Sequence, residues 1–127
     1  MKGIVFLGQH KLEIQEFEDP TPGPDEVILE IKASGMCGSD LKVYRAVEGP
    51  SSLGLGGEDK QVIAGHEPCG TIVELGKNVN KDNFKIDMNV MQHHYKGCGT
   101  CVHCSTGWQQ LCVDGVREVF GVTGHGA

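Results

Sequence analysis

The chain is short of positive charge, of aromatics and of long apolar runs. Lys and Arg total 11 against 17 Asp and Glu, a net charge of −6. A surface that tracks phosphates needs the opposite balance, so nucleic acid is not an expected partner. The longest apolar run near the start covers 4–7, too short for the core of a secretion signal or for a membrane span. An intracellular, cytoplasmic protein without membrane attachment is expected. Helix-period patterning never extends far. Ala numbers four and Leu eight, against 20 Val and Ile together, which leans towards strands. No repeat and no second apolar unit is visible. The 127 residues therefore suit one domain, large enough to bury roughly two-thirds of its unfolded surface.

What is abundant is glycine, at 19, and cysteine, at six. Glycine at this level without a repeat implies many tight turns. Strands are expected over 2–7 and 12–17, joined at Gln9-His10 as a hairpin. Pro20, Pro22 and Pro24 then make 19–25 a rigid connector. A strand over 27–33, a loop over 34–40 holding Cys37, a short helical turn over 41–47 and a mobile Gly/Ser-rich loop over 48–60 follow. Next come a strand over 62–75 broken at Gly65-His66-Glu67-Pro68, a polar turn over 78–87, a strand over 88–93, a Cys-rich lobe over 96–115 and a last strand over 116–122. The fold class is mainly β.

Cys98-x2-Cys101-x2-Cys104-x7-Cys112 is the strongest chemical signal. Clustered cysteines in a chain without a secretion signal bind metal or do redox work more often than they form disulfides. A structural Zn²⁺ takes four tetrahedral ligands, commonly thiolates. Gly97 and Gly99 permit the turns that three cysteines at steps of three require, and Lys96 is placed to offset the charge of four thiolates. An iron–sulfur cluster also begins Cys-x2-Cys-x2-Cys, but no Cys-Pro follows here; a redox Cys-x-x-Cys is the third reading. His103 is expected to be exposed and not a ligand.

A second constellation is Cys37 with His66 and Glu67, each at a Gly-punctuated break between strands. Cys, His and an acid at converging strand ends suit a catalytic zinc with an open position. Taken by themselves they fit better a buried Cys, a hydrogen-bonded His and a solvated Glu.

The connector into Glu26-Val27, then Ala33-x-Gly35-x-Cys37-Gly38-Ser39-Asp40, then Gly65-His66-Glu67-x-x-Gly70, then the four-cysteine lobe, stand in an order and spacing that resembles the zinc-dependent alcohol dehydrogenases of the medium-chain dehydrogenase/reductase superfamily. The resemblance runs along essentially the whole chain and is to that family's N-terminal domain, a GroES-like, partly open β-barrel with a Cys-rich zinc lobe. It implies that Cys37 and His66 ligate a catalytic zinc and that Glu67 is an adjacent, transiently ligating carboxylate. It implies that Ser39 takes the substrate proton, that Asp40 orients His66, and that Cys98, Cys101, Cys104 and Cys112 hold a structural zinc. Cys69 has no such role and is expected to be a small buried residue. The implied reaction is hydride transfer between the alkoxide of a small alcohol, or the matching carbonyl, and NAD⁺ or NADP⁺, eased by zinc as Lewis acid. A homo-oligomer is implied for the full-length enzyme.

The sequence departs from that family in lacking Gly-x-Gly-x-x-Gly: Gly54-x-Gly56 meets Asp59 at the third position. The family's third catalytic-zinc ligand also finds no match. The chain is thus expected to be a fragment that lacks the cofactor domain and is inactive alone. The rival function is a non-catalytic, zinc-stabilised GroES-like interaction module. Ser39, Asp40 and His66-Glu67 argue against it, because a purely structural module has no use for them.

Overall fold

Alternation near the start resolves into an antiparallel hairpin in the computed structural model, which describes residues 1–47, 61–116 and 118–126. Strand β1 (Lys2–Gly8) pairs with β2 (Lys11–Glu16), with Ile4 opposite Ile14 and Phe6 opposite Leu12. The turn is Gln9-His10, with φ of 53° and 61°. Positive φ at both central residues matches the right-handed twist of paired strands. Val5 points inward and is 3% exposed, while Ile14 on the other face is 69% exposed. The apolar alternation of 12–17 therefore faces outward.

The central sheet positions the chemistry. Strand β3 (Val27–Gly35) runs antiparallel to β4 (Glu67–Leu75), and β5 (Asn89–Met91) pairs with β4 on its other side. Val27 faces Leu75 at one end of the β3–β4 ladder and Gly35 faces Glu67 at the other. Register shifts at Ile28/Leu29 and Ile31/Ala33 mark bulges, which bend and twist a strand. Ile72 and Pro68 are fully buried and share the core with Val5 and Ile63. Pro68 lies near the start of β4, before its pairing with β5 begins at Cys69 opposite Met91, and takes part there through its carbonyl, which accepts from Gln92 N–H (3.1 Å).

Several elements differ from their sequence expectation. The strand expected over 62–75 starts only at Glu67. Before it, Ala64 N–H donates to the Ile4 carbonyl (2.7 Å) and Gly126 N–H donates to the Ile63 carbonyl (2.9 Å). These bonds stitch the segment between β1 and the far end of the chain instead of to β3. The segment 34–40, expected as a loop, contains the end of β3 and the start of helix α1 (Gly38–Arg45). The strands expected over 88–93 and 116–122 reduce to β5 and to a two-residue ladder of β6 (Tyr95–Lys96) with β7 (Glu118–Val119). Between β6 and β7 lies the Cys-rich lobe, with helix α2 (Val102–Ser105) and a single 3₁₀ turn, Gln109–Leu111. The loop expected over 48–60 lies outside the described residues. Among those described, three small sheets form and no closed barrel does. None of their helices is long and apolar enough to cross a membrane.

Candidate metal centres

Because Gly35 and Glu67 are cross-strand partners, the end of β3 and the start of β4 lie together. Cys37 follows one and His66 precedes the other, so two residues 29 positions apart in sequence become neighbours: Cys37 Sγ lies 3.1 Å from His66 Nε2. Ser39 Oγ is 2.9 Å from that sulfur and 3.5 Å from the same nitrogen. Glu67 completes the group, and one ligand atom from each of Cys37, His66 and Glu67 lies within 4.8 Å of the others. A Cβ on Gly35 would meet the Glu67 carboxylate where it now lies, so a larger residue there would push Glu67 aside.

The helix begins at Gly38 because Cys37 caps it. Its Sγ accepts from Ser39 N–H (3.3 Å), while Asp40 Oδ2 accepts from Cys37 N–H (2.9 Å). This is a reciprocal capping box with sulfur in place of the usual hydroxyl. Asp40 is 5% exposed and His66 8%. The second carboxylate oxygen, Asp40 Oδ1, lies 3.3 Å from His66 Nδ1. The contact lacks hydrogen-bond alignment, and among the described residues buried Nδ1 has no other partner. One carboxylate thus caps the helix with one oxygen and faces the imidazole with the other. That leaves Nε2 as the nitrogen for an ion, the arrangement in which a carboxylate sets a ligand histidine's orientation.

The Cys37 thiol titrates below its ordinary range, chiefly through the Ser39 hydroxyl and then the Ser39 N–H; burial opposes this, and Asp40's backbone and His66 add to it. The His94 ring packs edge-on against His66 at 5.3 Å, with His93 at 5.6 Å and Tyr95 at 4.2 Å from it. Burial pushes His94 below the usual imidazole range, His66 and His93 push the same way, and Glu67 opposes them. Sequence reasoning did not single out His94; its one signal was the His93-His94-Tyr95 run abutting the lobe.

In the lobe, Cys98, Cys101, Cys104 and Cys112 bring their sulfurs within 4.8 Å of one another. Backbone N–H groups aim at them: Cys101 to Cys98 Sγ (3.3 Å), Cys104 to Cys101 Sγ (3.5 Å) and Cys98 to Cys112 Sγ (3.4 Å). A Cβ on Gly97 would overlap Cys104 Sγ. The N–H groups of Cys104 and Val113, in that order, pull Cys101 down to about 6 against burial. For Cys104 the Gly99 N–H also pulls down, but burial and the thiols of Cys101, Cys112 and Cys98 outweigh it and push the group up to about 11. Four thiols so crowded cannot all shed their protons unless a cation neutralises them. That is the donor chemistry of a closed tetrahedral zinc site. The mixed sulfur, nitrogen and carboxylate set at Cys37 also fits zinc, but its Glu67 and Ser39 are exposed and it is not closed.

Three expectations are corrected here. Lys96 does not offset the sulfurs: its Nζ lies 2.7 Å from Glu26 Oε1 and 4.0 Å from Glu118 Oε2, tying the lobe to the start of β3. The opposite charge is simply nearer. His103 is outside the quartet, as expected, but half-buried rather than exposed; it sits in α2, and its carbonyl accepts from the Trp108 N–H (2.8 Å). Cys69 is half-buried, being a β4 residue between Ala33 and Met91 near the sheet's end.

Comparison with known proteins accords with this geometry. The Alcohol dehydrogenase GroES-like domain family matches residues 23–127. A sorbitol dehydrogenase of Halalkalibacterium halodurans is 36% identical over 114 residues, covering 88% of this chain and 31% of that protein. A thermostable alcohol dehydrogenase of Pyrobaculum aerophilum, solved with cobalt and zinc, superposes with a TM-score of 0.78 at 27% identity over 99% of this chain and 36% of its own. An alcohol dehydrogenase of Escherichia coli CFT073 solved with NADH gives a TM-score of 0.74 at 31% identity, over 100% of this chain and 34% of its own. The chain spans about a third of the length of the curated relatives it matches. It belongs to the alcohol dehydrogenase GroES-like domain family, within the medium-chain dehydrogenase/reductase superfamily.

Proposed function

We propose that this chain is the alcohol-handling part of a zinc-dependent, NAD- or NADP-linked alcohol or polyol dehydrogenase. One observation carries the reading. Cys37, His66 and Glu67, from separate segments, converge within 4.8 Å of one another, with Ser39 Oγ against the first two. In this reading Cys37, His66 and Glu67 would hold the catalytic zinc, and Cys98, Cys101, Cys104 and Cys112 a structural one. Zinc when bound supplies Lewis acidity, easing loss of an alcohol's proton and polarising a carbonyl in the reverse direction.

The chain's own residues do the rest. Ser39 is exposed and hydrogen-bonded at the ligand pair, so its hydroxyl receives the substrate's proton and hands it on to solvent as a relay. Asp40, buried against His66 Nδ1, holds the ring so that Nε2 faces the site. Glu67 is exposed and free to enter or leave the donor set. The hydride acceptor needs a dinucleotide cradle, and the sequence carries no Gly-x-Gly-x-x-Gly. The chain alone is therefore expected to give no cofactor-dependent alcohol oxidation. The sorbitol dehydrogenase relative supports a polyol as readily as a simple alcohol.

Cobalt substitution tests this reading. In a chain shown to hold cobalt at Cys37, a small polyhydric alcohol is expected to change the visible spectrum of that ion and leave the lobe's bands alone. A cobalt spectrum indifferent to any alcohol would contradict it.

A further inference from the structure

Helix α1 carries Cys37 as its cap, with Ser39 and Asp40 in its first turn, yet little packing holds it: Asp40 is its one buried residue. Its far end has carbonyls that no further helical turn can satisfy. The hairpin turn satisfies them. His10 N–H donates to the Tyr44 carbonyl (2.8 Å) and Gln9 N–H to that of Ala46 (2.9 Å). Gln9 Nε2 donates to the Val47 carbonyl (2.9 Å). The Tyr44 ring meets His10 edge-on at 5.4 Å and Phe6 at 6.1 Å.

The two donor residues stand in the left-handed region, with φ of 53° and 61°. A two-residue turn of this kind favours Asn-Gly. Gln and His bear a steric cost there that a mere connection between β1 and β2 would not need. What they add is a side-chain amide and a ring, and both land on the end of α1. From Cys37 to Tyr44 the helix is a lever of about 10 Å, so a tilt of a few degrees at one end shifts the other by roughly half an ångström or more.

We infer that the β1–β2 turn clamps α1, and that Gln9, His10 and Tyr44 are positioning residues that fix Cys37, Ser39 and Asp40 against His66 and Glu67. The inference rests on the reading of that cluster as a metal centre. The steric cost at Gln9 and His10 is the price of this aim.

The test replaces the turn with its favoured sequence, Gln9→Asn with His10→Gly. This keeps both backbone donors, draws the position-9 amide back by one methylene from the Val47 carbonyl it now reaches, removes the ring, and makes the turn easier to form, so failure to fold does not obscure the result. Cobalt affinity at Cys37 is expected to fall about tenfold with an altered visible spectrum. The lobe's cobalt bands and the thermal midpoint are expected to hold, and α1 amides to exchange faster. Tyr44→Phe keeps the ring and should keep the affinity; Tyr44→Ala should not. Unchanged affinity and unchanged α1 exchange would overturn the clamp, as would equal losses at both metal centres. If the wild-type chain takes no cobalt at Cys37 while α1 exchange still rises in the turn variant, the clamp stands and the metal reading fails.

Discussion

The two donor clusters are built in opposite ways. The lobe draws all four sulfurs from one stretch, Cys98 to Cys112, and supplies its own N–H donors to them. It has almost no core: Cys104, at 7% exposure, is its one buried residue. The other cluster draws Cys37 and His66 from 29 positions apart and relies on the β3–β4 ladder and a helix cap to bring them together. Its imidazole and Asp40 are buried, but Ser39 and Glu67 are exposed. A closed set of like donors in a coreless segment suits an ion that holds the fold. A mixed set on a preformed frame, open on one side, suits an ion that meets a substrate. The difference lies in what surrounds the donors, more than in the donors themselves.

The largest effect that separates the two should come from Cys104→Ser. A structural zinc contributes on the order of 10 kcal/mol to the folding of its unit. The variant is expected to lose tightly held zinc and to unfold the lobe locally. Trp108, the single tryptophan, lies in that lobe and is already 56% exposed, so its fluorescence anisotropy should fall as the segment loosens. Amide protection around Ile72 in the central sheet should persist. Retained zinc with unchanged anisotropy would erase the contrast.

A smaller effect is expected at the open cluster. Asp40→Asn keeps an oxygen for the cap but removes the charge facing His66. Metal affinity at Cys37 should drop by about 10–100-fold while the lobe keeps its ion. Asp40→Ala should lose the cap as well, at about 1 kcal/mol of stability. Isothermal titration and thermal melts of the two variants check this, and equal affinity in Asp40→Asn would remove Asp40 from its orienting role.

The smallest effect is a matter of order among the lobe thiols. While the emptied lobe still keeps its fold, before it loosens, Cys101 is held at about 6 and Cys104 at about 11, around an ordinary value of 9.0. The thiolate is the nucleophile, so near pH 7.5 Cys101 should be alkylated first and Cys104 last. The stability signs are opposite. The lowered Cys101 contributes stability above pH 9 that is lost as pH falls through about 6. The raised Cys104 contributes stability below pH 9 that is lost as pH rises towards 11. Mass-spectrometric alkylation rates check the order, and comparable rates for the two would contradict it.

Legibility in the sequence followed the same division. The lobe was readable because its chemistry is local: four cysteines and their glycines fall within one window. Strands β2 and β3 were readable from period-two patterning, and β1 and β4 as apolar runs between breaks. The start of α1 was not, because cysteine is an unusual N-cap and the reciprocal partner, Asp40, reads equally well as a loop residue. The neighbourhood of Lys96 was hidden because its partner Glu26 is 70 positions away. His94 was missed for the same reason: nothing local signals that β5 and β6 lead its ring onto His66. Cys37, His66 and Glu67 were visible as candidates, but only the Gly35–Glu67 register explains why they meet.

Zinc stoichiometry and affinity measured together on the intact chain test the central claim most directly. After dialysis against zinc-free buffer, one ion per chain should remain, lost on Cys104→Ser and unaffected by His66→Ala. A second should bind only when zinc is added back, and His66→Ala should abolish it. Two equally tight ions per chain, or a single tight ion that disappears with His66→Ala, would contradict the account.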